Sequence, residues 1–357
     1  MWAAISTGGA ATSLIFRYLC TLTFPMWRGS VAEPLLDRSA AAPPKCPITG
    51  MPAVRHIQDV SSAVLNTLWR ISFGVRVAPQ FAGVRRFALW ESPCGLAFFD
   101  PMIAGDKAFY DDLYPRLGAV SPWSGKPLKR SDYARAAALV QPGDSVLDVG
   151  CGAAAFARYL PTARYVGLDQ NAEVGKKVAA DVRGETIVTH ADTHAGAYDM
   201  VCAFLVVEHI AEPMLFVAAM TRCLRPGGRL VISVPSWPSA MTDIPNFSFN
   251  APPHHLTWWT KRALRALAEL SDLVVESVEE LPPSPAFSLA YWMAWAAPKL
   301  TGGRFFRRAW TWHLALLWSW LTGRLCNMLF DVPARARPSE LLLVARKLRQ
   351  PTKRAPE

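Results

Sequence analysis

The stretch VLDVGCGAAAF, Val146–Phe156, decides the fold. Val146, Leu147 and Val149 read as a buried strand, Gly150-Cys151-Gly152 as a turn, and the alanines that follow as the first turn of a helix. Strand, glycine turn and helix in that order bring backbone N–H groups close to a ligand. Gly150, Gly152 and Ala155 also satisfy the pattern G-x-G-x-x-G/A, so the outline alone fits more than one nucleotide-like cofactor.

Outward from this stretch the chain alternates. SVLDVG, ARYVGLD, ETIVTHAD, YDMVCAFLVVEH and GRLVISVPS read as strands. AAAFARYL, NAEVGKKVAADV, PMLFVAAMTRCL and TKRALRALAELS read as the helices among them. DLVVESVEEL and ELLLVARKLR are the last two strands. Strands rich in Val, Ile and Leu with helices between them predict an α/β doubly wound, Rossmann-like parallel sheet covered on both faces. Ahead of it, SDYARAAALV predicts a helix with Ser131 as its N-cap. Pro282 to Ser339, 58 residues, separate the final two strands, against about 2–6 for an ordinary connection. That insert is Trp-rich and predicted helical. The expected organisation is an extension and linker over 1–44, a small strand-containing accessory region over 45–120 with strands at RRFALWES and GLAFFDP, the sheet domain over 121–349 with the helical insert 282–339, and a basic tail over 350–357.

Composition sets the outer limits. The 357 residues are 51% hydrophobic and 18% charged, enough for a large core. The formal charge is +10, and residues 299–357 carry twelve Lys/Arg against three Asp/Glu, so +9 of it lies in that stretch. The seven cysteines form no CxxC pair and their number is odd, which favours a reducing, cytoplasmic compartment over a disulfide framework. Met1–Trp27 is mostly apolar without a basic leader; an over-extended start, a membrane-associated helix and a packed helix all fit it.

Three carboxylates discriminate among cofactors. Asp148 lies two residues before Gly150, at the end of an apolar strand, where a pyrophosphate would be repelled and a sulfonium and ammonium stabilised. Asp169 ends the second strand and suits both ribose hydroxyls; Asp192 ends the third and suits an adenine amino group. Helix capping is the plainer role for Asp169, and loop solvation for Asp192.

VLDVGCG, YVGLDQN, YDMVCAFLVVEHIAEP, LRPGGRLVISVPS and HHLTWWTKRALRALAE stand in an order and spacing that resemble the class I S-adenosylmethionine-dependent methyltransferases, over about Ala134–Arg349 without the insert. The resemblance implies a seven-stranded sheet whose last strand inserts antiparallel, and S-adenosyl-L-methionine as cofactor. It implies a site of Asp148, Gly150 and Gly152 at the methionine end, Asp169 and Gln170 at the ribose, Asp192 at the adenine, and Phe204 and Leu205 beside the ligand. Ala154 stands where the family's pattern often has a third glycine. Phe204 and Leu205 read equally well as core.

On the acceptor side the candidate bases are His209 in VVEHI and His255 in PPHHLTWW, each with a plainer role as a loop anchor. Trp237 and Phe247, on the Pro-rich loop before His254, suit a lid. No Asn-Pro-Pro-Tyr-type stretch follows the fourth strand and the basic stretch is not interleaved as a nucleic-acid groove, so the expected acceptor is a small, sugar-like or lipid-linked molecule, methylated on oxygen, and not a nucleic acid. Cys46 and Cys94 resemble the remains of a zinc ribbon whose partner positions hold Thr49 and Glu91, so no metal is expected. A NAD-dependent oxidoreductase and a non-catalytic scaffold are the rival functions. The uncharged run Ala309–Gly323 is short of the ~20 residues a span needs. With Arg304, Arg307, Arg308 and Arg324 around it and four tryptophans in it, the segment 304–324 suits a peripheral helix on the inner membrane face, a lid or a dimer face.

Overall fold

The computed structural model describes residues 42–120, 130–169, 185–187, 195–283, 287–298, 304–333 and 335–348. The sheet at its centre has seven strands: β4 (Ser145–Val149), β5 (Arg164–Leu168), β6 (Glu185–Ile187), β7 (Tyr198–Phe204), β8 (Leu224–Pro235), β10 (Leu273–Leu281) and β11 (Glu340–Lys347). Their spatial order is β10-β11-β8-β7-β4-β5-β6. β8, β7, β4, β5 and β6 run parallel, and β11 inserts antiparallel between β8 and β10. The expected seven-stranded α/β sheet is therefore present, and β4 sits where the chain switches from one side of the sheet to the other.

Helices cover both faces. α3 (Ser131–Ala137) precedes β4, α4 (Pro213–Cys223) joins β7 to β8, and α5 (Lys261–Glu269) precedes β10. Thr260 caps α5 by accepting from Ala263 N at 3.1 Å. Three local expectations fail. Ser131 is the first residue of α3, not its cap; Arg130 holds the cap position without a side-chain cap. The alanine stretch after Gly152 forms only a 3₁₀ turn, Ala155–Tyr159, entered through Ala154 at φ +51°. YDMVCAFLVVEH stays extended only to Phe204, because Leu205 takes φ +58° and Val207–His209 is a 3₁₀ turn.

The accessory region is strand-rich, as expected, but it is not closed within 45–120. β1 (Arg55–Ser61), β2 (Arg86–Glu91) and β3 (Ala97–Asp100) are followed in space by β9 (Thr257–Trp258), which belongs to the loop after β8. β9 lies antiparallel to β3, with Ala97 opposite Trp258 and Phe98 opposite Thr257. α1 (Ser62–Phe73) and α2 (Lys107–Val120) pack beside this sheet, and Trp69 and Phe109 lie in its core. Cys46 and Cys94 are buried with their sulfurs 3.9 Å apart. Glu91 is paired with Arg55, and His56 lies edge-on to Trp90 and faces Asp59.

The insert is helical: α6 (Ser288–Ala296) and α7 (Trp310–Leu329) pack together. A Cβ on Gly323 would lie 2.8 Å from the Met293 backbone, so the helices touch where a larger side chain cannot fit. Leu316, Ser319 and Gly323 form the narrow buried stripe of α7, whereas Trp310, Trp318, Leu321, Leu325 and Met328 are exposed. Among the described residues no helix is long and apolar enough to cross a membrane.

Candidate functional site

The donor side is built at the carboxyl ends of β4 and β5. Gly150 adopts φ +77°, and a Cβ there would meet Val206 Cγ2 at 2.6 Å. Only glycine meets both the dihedral and the contact without strain. Gly152, at φ +52°, has nothing within 4 Å of where its Cβ would stand, so space lies open above it. Asp169 Oδ2 accepts from Gly152 N at 3.0 Å, which ties the end of β5 to the turn. Gly150, Gly152 and Asp169 thus meet, and an open cradle beside a carboxylate fits a nucleoside.

The remaining predicted residues divide. Asp148 is fully buried and accepts from the Tyr165 hydroxyl at 2.9 Å; burial pushes its carboxyl up to about 7. It therefore sits beneath the turn as a hydrogen-bonded interior acid and not at the surface of the cradle. The Phe204 ring belongs to the core, 4.8 Å from both Tyr133 and Phe156, which is the plainer of its two expected roles. Leu205 stands half-buried at the strand end in the left-handed region. Gln170 and Asp192 lie outside the described residues.

A polar network that sequence reasoning missed runs beside Asp148. Asp132 is buried, accepts from Arg130 Nε at 3.0 Å and from Ser233 Oγ at 2.9 Å. Arg130 also lies over the Tyr133 ring, 4.1 Å from its centroid. Glu340, at the start of β11, is buried with Oε2 unpartnered; burial, with Asp132 adding to it, pushes its carboxyl up to about 8. Polar residues scattered over α3, β8 and β11 carry no local signature, so only the fold assembles them.

The side expected to face the acceptor lies beyond β7. His209 and His255 come together there, with His254 between them: ring centroids are 4.3 Å apart for His209–His254, 4.9 Å for His209–His255 and 4.7 Å for His254–His255. His209 Nδ1 donates to the His254 carbonyl at 2.6 Å, and His255 Nδ1 donates to Asn250 Oδ1 at 2.8 Å. Burial lowers all three; His209 falls to about 4. All are neutral at pH 7, and His209 by itself is a weak base for a hydroxyl. Both anchoring roles weighed above are present, yet each anchored ring keeps its Nε2 clear of that anchor. Glu208, 1% exposed, has an unpartnered Oε2 and is pushed up to about 8 by burial.

Two sides of this histidine cluster were not legible in the sequence. The accessory region supplies one: Tyr110 lies edge-on to His209, and Trp69 and Phe109 surround His254. Tyr114 stacks on Tyr110; protein crowding, then the carboxylates of Asp169 and Glu208, push its phenol up to about 12, although more than half of its surface is open. The loop after β8 supplies the other, and it is no lid. Trp237 packs against Trp258, Phe247 packs with Phe249 and the insert, and Asn246 clasps the Arg307 backbone through two hydrogen bonds. A loop with this many buried partners is a fixed floor.

Residues 125–278 match a family model described as a methyltransferase domain. A "Ubiquinone biosynthesis O-methyltransferase" of Pectobacterium atrosepticum is 34% identical over 124 residues, 30% of this chain and 52% of that protein. A protein encoded in a transposon of Streptomyces fradiae is 34% identical over 120 residues, 30% of this chain and 34% of its own. The chain thus spans about half the length of the first of these relatives, or less. Among solved structures, an S-adenosylmethionine-dependent methyltransferase from Mesorhizobium loti is 18% identical with a TM-score of 0.39, covering 61% of this chain and 98% of that one.

Proposed function

The chain belongs to the class I S-adenosylmethionine-dependent methyltransferases, and from that premise we propose that it transfers a methyl group to an oxygen of a small or lipid-linked acceptor. S-adenosylmethionine, when bound, supplies an electrophilic methyl group. The observation that carries the reading is the open cradle at Gly152, closed on one side by Asp169. On this reading Asp169 takes the ribose hydroxyls, Gly150 and Gly152 let the methionine end approach, and the His209–His255 side holds the acceptor. The O-methyl transfer in the name of the Pectobacterium relative supports oxygen as the methylated atom.

Calorimetric titration tests the donor. S-adenosylmethionine and S-adenosylhomocysteine are expected to bind and NAD not to. Asp169→Asn is expected to weaken both by about 10- to 100-fold, the worth of charge-assisted hydrogen bonds to a hydroxyl pair. Binding of NAD alone would overturn the reading, and binding of no ligand would favour a scaffold. Transfer of a labelled methyl group to phenolic, sugar and lipid-linked acceptors then identifies the substrate class.

The lipid-linked form of the proposal rests on α7. Its exposed Trp310, Trp318, Leu325 and Met328 lie near Arg304, Arg307, Arg308 and Arg324, a pairing that suits an anionic bilayer surface. Flotation with anionic vesicles is expected to carry the protein up at low salt, and Trp310→Ser with Trp318→Ser to leave it in the pellet fraction. A wild type that ignores vesicles would restrict the acceptor to soluble molecules.

A further inference from the structure

The three histidines of the acceptor pocket do more than pack. Their ligating atoms lie within 4.8 Å of one another, and among the described residues this is the one group of three or more His, Cys, Asp or Glu gathered so closely. A tetrahedral zinc site places its nitrogens about 2.0–2.1 Å from the metal, hence about 3.3 Å apart. Side-chain rotations that move each ring by about an ångström would close that gap.

Three details point to a ligand. His209 and His255 each commit Nδ1 to an oxygen, the His254 carbonyl and Asn250 Oδ1 respectively. That is the kind of outer hydrogen bond that orients a metal-bound imidazole. His254 Nδ1 is buried and unpartnered, on a side chain only 3% exposed. Glu208 Oε2 is likewise buried and unpartnered, and Glu208 Oε1 lies 3.9 Å from His209 Nε2. Two buried polar atoms left without partners beside one histidine cluster are costly unless a ligand satisfies them.

We propose that His209, His254 and His255 bind one divalent transition metal of the zinc class, with Nε2 of His209 and of His255 as ligands and Glu208 beside the open position. Three imidazoles and an open fourth position match a catalytic rather than a structural site. On the methyl-transfer reading, from which the role but not the binding follows, the open position takes the acceptor hydroxyl. Its O–H bond breaks, the proton leaves to solvent water, and the oxygen takes the methyl as the sulfonium becomes a neutral thioether. A metal-bound hydroxyl needs no strong base.

The test uses the full chain, stripped with a chelator and titrated with Co²⁺. One equivalent is expected to give the visible d–d bands of a four- or five-coordinate nitrogen site, and one equivalent of Zn²⁺ to abolish them. His209→Gln and His255→Gln are each expected to weaken Co²⁺ binding by at least 100-fold. Asn250→Ala, which removes only the support of His255, is expected to weaken it by about 10- to 100-fold. His56→Gln, in the accessory sheet, is the unaffected control. Absence of the bands in wild type, or variants within threefold of it, would overturn the proposal. Calorimetry with S-adenosylmethionine on the same samples separates the two readings: cofactor binding without cobalt binding sinks the metal alone, and the reverse sinks only the cofactor assignment.

Discussion

Gly150→Ala is expected to lose S-adenosylmethionine binding altogether and to cost about 2–5 kcal/mol of stability. Two penalties add. A left-handed residue with a Cβ costs about 1–2 kcal/mol, and Gly150 stands at φ +77°. The new methyl would also lie 2.6 Å from Val206 Cγ2, closer than packed carbons approach, and such overpacking costs about 1–3 kcal/mol. Urea unfolding of the variant measures the sum. The second penalty is separable: adding Val206→Ala to Gly150→Ala removes the clash and is expected to restore part of the stability, leaving the dihedral cost. If Gly150→Ala unfolded at the wild-type denaturant concentration, the turn would not have the conformation described.

Glu340→Gln is expected to stabilise the ligand-free protein by about 4 kcal/mol at pH 8 and by only about 1 kcal/mol at pH 5. Burial raises the Glu340 carboxyl to about 8 in the folded chain, from its ordinary 4.5. Between those values the folded state holds a proton that the unfolded state has lost. The stability contributed by the protonated acid is therefore complete below about 4.5 and disappears as the pH climbs through 8. Glutamine keeps the shape of the neutral acid and cannot ionise, so wild type and variant converge in acid and diverge in base. Thermal or urea unfolding of both at pH 5 and pH 8 gives the difference directly. A variant less stable than wild type at pH 8 would mean that Glu340 is ionised and paired with Arg130 instead.

Periodicity and turn chemistry made the large sheet legible. VLDVG, YVGL and GRLVISVP declare buried strands by their apolar runs, and β11 was found beyond a 58-residue insert because ELLLVARK is equally apolar. Positions that depend on tertiary neighbours were not legible. Asp148 looks like a ligand contact in sequence, but only the fold brings Tyr165 to it. Two residues are too few to show an alternation, so β9 is silent until β3 lies beside it. The histidines were recognisable as candidates one by one. Nothing in VVEHI or PPHHLTWW says that a 3₁₀ turn after β7 and a loop after β8 converge, since 45 residues separate His209 from His254. Ala154 shows the same limit: its departure from a glycine pattern was visible, its left-handed φ was not.

β9 begins two residues after His255 and is hydrogen-bonded into the accessory sheet, while Leu256 between them donates to the Glu208 carbonyl at 2.8 Å and accepts from Phe99 N at 3.0 Å. Four short links therefore join the edge of one sheet to the rim of the other with no slack residue in the path. The small sheet and the imidazoles thus share one backbone segment, and moving either far from the other would break these hydrogen bonds.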